Sequence, residues 1–160
     1  MRIKHHSTLF LKFIILLIGI VYLLALIWFP QTEGRAANLD LFHIYADPVI
    51  LYMYVASLPF FTALYQAVKL LGYIEHNKVF SQAAVNTLRT IKFCFVASVG
   101  FMLLALPKIM IFGEQDDAPG VVLLGLLIIL AASVVATAAG IFQTLLQSAV
   151  NLKSENDLTV

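Results

Sequence analysis

The stretch VVLLGLLIILAASVVATAAGIFQTLL, residues 121–146, carries no ionisable side chain from end to end. A helix rises ~1.5 Å per residue, so roughly 20 apolar residues cross the ~30 Å hydrocarbon core of a bilayer. An uninterrupted apolar run of this length reads as a transmembrane helix. Three further runs of similar character precede it, at about residues 9–29, 48–73 and 92–112. The chain is therefore expected to be all-α: a four-helix transmembrane bundle with short loops.

Composition agrees. The 160 residues are 61% hydrophobic and 12% charged, against about half and a quarter in a soluble domain. No loop is long enough to fold alone, so residues 1–160 read as a single integral membrane domain. A net charge of +1 gives the molecule no electrostatic pull toward nucleic acid. Cys94 is the only cysteine, which rules out an internal disulfide. Arg2 and Lys4 followed by an apolar run resemble a signal peptide, with a cleavage-like Gly34-Arg35-Ala36. The run is longer than the roughly 7–15 residues of a secretory h-region, so it is expected to remain as the first span.

The charges between the runs set the expected orientation. Arg2, Lys4 and Lys12 flank the first run with no acid nearby. Lys69, Lys78, Arg89 and Lys92 surround the middle connection, against Glu75. Glu33, Asp40 and Asp47 face Arg35 in the first loop; Glu114, Asp116 and Asp117 dominate the third, after Lys108. The positive-inside rule then puts both termini and the middle connection in the cytoplasm. Lys12, Lys69 and Lys108 lie near span ends and can snorkel toward headgroups. Tyr22, Trp28, Tyr45, Tyr52, Tyr54 and Tyr73 lie toward run ends, where amphipathic rings favour the interface.

Local signals punctuate the runs. Pro30 is expected to stop the first helix. Asp47-Pro48 opens the second as cap and first helical residue. Pro59 removes a backbone donor there and leaves the Val55 carbonyl short of one, with Ser57 or Thr62 placed to help. Ser81 caps a third helix that begins before the membrane. Val85, Leu88 and Lys92 fall at helical spacing in this amphipathic lead-in, with Asn86, Arg89 and Thr90 on the other surface. In the fourth helix Ala132, Ala136 and Gly140 recur every four residues, the spacing that lets two backbones approach, within the chain or between two copies. Its helical pattern continues through Gln143, Gln147 and Asn151.

Chemistry-bearing constellations are sparse. His43 and Asp47 share a helical spacing but fall short of a zinc ligand set. There is no phosphate loop, histidine–glutamate zinc motif or serine elbow. The span centres hold mainly Ser57, Thr62, Ser98, Ser133 and Thr137, not the ionisable residues of a proton path. No catalytic residue, cofactor or metal is expected.

Two stretches carry a resemblance. One is Asn77-Lys78-Val79-Phe80-Ser81 followed by Val85-Asn86-Thr87-Leu88-Arg89-Thr90-Ile91. The other is the tail Glu155-Asn156-Asp157-Leu158-Thr159-Val160. With four spans in about this length, the chain resembles the bacterial membrane family known only as domain of unknown function 2975. That resemblance implies a multi-pass protein of the bacterial inner membrane, and no catalytic residues come with it. Genes of the family often neighbour a small helix-turn-helix regulator. It therefore suggests a non-enzymatic regulatory or interaction partner of such a DNA-binding protein, without direct nucleic-acid contact. The alternative is a small transporter or a toxin-immunity membrane protein. Both motifs fall on the side assigned to the cytoplasm. Phe80, Ser81, Asn86, Arg89, Lys92, Glu155, Asn156 and Asp157 are the candidate partner contact. Arg89 or Lys92 meeting Glu155 or Asp157 would also clasp the third helix to the fourth, worth roughly 0–1 kcal/mol if exposed.

Overall fold

A computed structural model describes residues 5–32, 45, 47–115 and 119–158 of the protein. These form α1 (His5–Thr32), α2 (Pro48–Glu75), α3 (Gln82–Gln115) and α4 (Pro119–Leu158), of 28, 28, 34 and 40 residues. All four contain a stretch long and apolar enough to cross a membrane. Their surfaces confirm what surrounds them. Phe10 is 65% exposed, Trp28 70% and Leu104 75%. So much exposed apolar surface disfavours a folded state in water, whereas in lipid it faces a solvent of its own kind.

The helices pack chiefly in chain order, α1 on α2, α2 on α3 and α3 on α4; the last contact is the most extensive and the first the slightest. Each pair is antiparallel. On α1 and α2, Lys12 meets Glu75 at one end and Leu26 meets Tyr54 at the other. On α3 and α4, Gln82 meets Gln147, while Ile109 lies against Gly125. The starts of α1 and α3 and the ends of α2 and α4 therefore share one side of the membrane region, here called the chain-end side.

Tyrosine hydroxyls join the helices on the other side. Pro30 does not stop α1, which runs on to Thr32. A proline at position 30 has no N–H for the carbonyl four residues back, that of Leu26. Tyr54 of α2 donates its hydroxyl to that carbonyl at 3.1 Å. In lipid an orphan carbonyl has no water to turn to, so this cross-helix bond is what allows the last turn to continue. Tyr45 donates to the Ile27 carbonyl at 3.1 Å, and Tyr52 to Phe101 of α3 at 2.6 Å. Rings expected only to mark the interface thus also pin neighbouring backbones together.

The α2 proline behaves differently. α2 is continuous through Pro59, but Ser57 donates to the Tyr54 carbonyl and Thr62 to that of Leu58. Neither expected helper serves Val55, because each hydroxyl sits closer to a carbonyl of its own preceding turn.

Small residues set the α3–α4 spacing. Ala136 and Ala139 are buried, and a Cβ built on Gly140 would lie 3.4 Å from Cδ of Lys92. On Gly125 it would meet the Ile109 side chain at 3.8 Å. Of the two readings of the small-residue stripe, Gly140 and Ala136 serve packing within the chain.

Candidate functional site

The first motif stretch builds the turn between α2 and α3. His76 caps α2, and Asn77 adopts a left-handed conformation at φ 53°. Asparagine tolerates this region because its short side chain can bond locally. Lys78 N–H then reaches the Tyr73 carbonyl at 2.8 Å, and Asn77 N–H that of Ile74 at 3.2 Å. This pair of bonds is the Schellman arrangement that satisfies a helix end. Three residues on, the Ser81 hydroxyl accepts from Ala84 N–H at 3.3 Å and donates to the Lys78 carbonyl at 2.7 Å. Asn77 ends one helix and Ser81 starts the next.

The lead-in of α3 divides by face. Ala84, Val85, Thr87 and Ile91 are buried, among the most enclosed side chains described. Thr87 resolves its burial by donating to the Ala83 carbonyl. Phe80, Asn86 and Arg89 are exposed; Ser81 and Lys92 are partly covered. The amphipathic lead-in expected from spacing is present, with Val85 on the inner face and Asn86 and Arg89 on the outer.

A polar ladder ties this lead-in to the extension of α4. The side-chain amides of Gln82 and Gln147 exchange bonds at 3.2 Å, and Gln147 donates to Asn151 at 2.9 Å. Gln82 also reaches Asn86, more loosely, at 3.4 Å. α4 continues past this rung to Leu158 with Glu155 and Asn156 exposed. The Asp157 side chain, Thr159 and Val160 lie outside the described residues.

The expected clasp does not form. Lys92 sits beside Gly140, and Glu155 is fifteen residues further along a continuous helix. At ~1.5 Å per residue that is roughly 22 Å of axial separation. Arg89, one turn closer to the chain-end side, remains far short of it. The candidate contact thus comprises an outer rim of Phe80, Asn86, Glu155 and Asn156, and a deeper pair, Arg89 and Lys92. Both basic groups approach one ring: the Arg89 guanidinium carbon is 5.9 Å, and the Lys92 ammonium 5.7 Å, from the centroid of Phe93.

Sequence reasoning missed an ion pair. Lys12 Nζ lies 2.6 Å from Glu75 Oε2, with the side chains 28% and 12% exposed. The signal was available: Glu75 is the one acid of a basic connection, and Lys12 approaches the same membrane side. Of the weak metal pair, His43 lies outside the described residues and Asp47 is engaged as the cap of α2. Among the described residues, no three of His, Cys, Asp or Glu gather at one point.

Comparison with known proteins adds a family and a relative. A family model described as "Protein of unknown function (DUF2975)" matches residues 31–160. The chain is similar to "Uncharacterized membrane protein YoaS" of Bacillus subtilis (strain 168), at 44% identity over 156 residues, covering 96% of this chain and 98% of the relative. No solved structure matches it.

Proposed function

The chain belongs to this DUF2975 family, and from that premise we propose a non-enzymatic regulatory or interaction protein of the bacterial inner membrane, with both termini in the cytoplasm. It acts as a single membrane unit whose chain-end side carries the contact. The observation behind this reading is the rim: an exposed aromatic, Phe80, in the turn before α3, and exposed polar groups at the start of α3 and on the α4 extension, two helices joined there by the Gln82–Gln147 amide exchange. A rigid polar platform joined to membrane helices suits a soluble partner better than a transported solute. The basic residues near that side, Lys69, Lys78, Arg89 and Lys92, support a cytoplasmic placement.

The partner suggested by the family's gene neighbourhoods is a small helix-turn-helix regulator. Photocrosslinkers at positions 86 and 155, in cells also producing the regulator encoded beside this protein, are expected to capture it. Capture from neither position, with both proteins present at normal levels, would overturn the reading.

A further inference from the structure

Arg89 and Lys92 lie below the rim, on the lipid-facing side of the α3–α4 seam. Neither has a carboxylate partner among the described residues, and their shared neighbour is the ring of Phe93. Unpaired charge at this depth is costly unless something compensates it.

The depth follows from packing. Lys92 runs its alkyl chain over Gly140, where the missing Cβ leaves room. The apolar run of α4 continues six residues beyond that point, to Leu146. This places the Lys92 side chain about 9 Å inside the apolar boundary, its Nζ included at 3.8 Å from the Gly140 Cβ position. Its flexible stem can swing the ammonium outward to the headgroup layer when an anion is there to meet it.

An apolar track continues from the two cations. Arg89, Phe93, Val96, Gly100 and Leu103 succeed one another at intervals of three or four along α3, hence on one stripe. Phe93 is 54% exposed, Val96 51% and Leu103 52%. A Cβ on Gly100 would meet nothing within 4 Å, so the track is open there.

We propose that Arg89 and Lys92 bind the phosphate of an anionic phospholipid in the chain-end leaflet, with one acyl chain along Phe93, Val96, Gly100 and Leu103. Guanidinium offers paired donors to phosphate oxygens, and the lysine adds a mobile point charge. Phe93 holds both cations at the edge of the track, the arrangement that attracts a charged head with an apolar tail. This deeper pair is thereby assigned to lipid and the outer rim left to the soluble partner, whichever side of the membrane is cytoplasmic.

Native mass spectrometry of the full-length protein in detergent tests it, with phosphatidylglycerol and phosphatidylcholine of matched acyl chains as probes. Phosphatidylglycerol is expected to be retained at least about tenfold better, from two favourable charge contacts. The double variant Arg89→Gln/Lys92→Gln should lose this preference. Arg89→Lys/Lys92→Arg should keep most of it, and Lys153→Gln, which removes one charge from the α4 extension, should keep all of it. Millimolar inorganic phosphate should not displace the lipid. A preference that survives the double glutamine variant, falls equally with Lys153→Gln, or yields to free phosphate would overturn the proposal. A wild-type measurement covers misfolding of the variants: phosphatidylglycerol with a photoreactive headgroup should label the peptide spanning residues 85–100. Labelling confined to α1 or the α4 extension would be equally fatal.

Discussion

Lys12 and Glu75 are 63 positions apart in sequence and 2.6 Å apart in space, joining the beginning of α1 to the end of α2. The α1–α2 contact is otherwise slight, built around Tyr22 against Phe60 and Phe61 and the approach of Gly19 to Leu64. The ion pair fixes the register of that contact at its chain-end side.

Breaking the pair should loosen α1. Glu75→Gln is expected to cost about 1–3 kcal/mol, less than the roughly 3–5 kcal/mol of a fully buried pair, because both groups keep some exposure. The exchange Lys12→Glu/Glu75→Lys should recover more than half of the loss. Unfolding in mixed micelles, followed by a probe on α1, measures both. Equal stability of Glu75→Gln and wild type would contradict this role.

The Tyr54 hydroxyl and Pro30 should be coupled. Tyr54→Phe leaves the Leu26 carbonyl without a donor and should destabilise the protein by about 0.5–1.5 kcal/mol. Pro30→Ala restores an N–H four residues on, so Tyr54→Phe should cost less in that background. A double-mutant cycle reads the difference directly; strict additivity would dissociate the two residues.

Asn77 should accept glycine and little else. Asn77→Gly is expected to be neutral within about 0.5 kcal/mol, since glycine enters the left-handed region freely. Asn77→Val should cost about 1–2 kcal/mol from steric crowding at positive φ. Thermal denaturation of the two variants side by side settles the order.

Gly140 should tolerate one added carbon better than four. The nearest atom to a new Cβ is Cδ of Lys92 at 3.4 Å, a flexible neighbour, so Gly140→Ala should shift stability by less than about 1 kcal/mol. Gly140→Leu should force α3 and α4 apart at a cost of about 1–3 kcal/mol. The readout is the midpoint of unfolding in detergent.

Orientation has its own test. Reporter fusions after Leu158 and ahead of His5 should report the same compartment, and the positive-inside rule makes that the cytoplasm. A periplasmic signal from both would invert the proposed assignment without altering the packing of the helices.

Helix number and several boundaries were legible because they depend on local chemistry. Asp47 accepts from Val49 N–H at 2.7 Å, with Pro48 opening α2, as the dipeptide suggests. Ser81 caps α3 in the same manner. The lateral contacts were less legible. A helix that is apolar all round carries no stripe to say which face meets protein and which meets lipid. Spacing alone therefore left open whether Gly140 lies against α3 or a second copy. It also gave Tyr54 a belt position but not a partner on α1. The expected Arg89–Glu155 clasp failed for a related reason. Both residues belong to the same side, but level along the axis depends on how far α4 extends, and α4 reaches Leu158 without a break.

Since each helix packs on its neighbours in chain order, and the contacts grow from the first pair to the last, the molecule can be assembled during synthesis. Each segment leaving the translocation channel finds one docking surface already in the bilayer and presents a larger one to the segment that follows. The rim is then the last part to mature, because the Gln82 amide acquires its Gln147 partner only when the final helix has emerged.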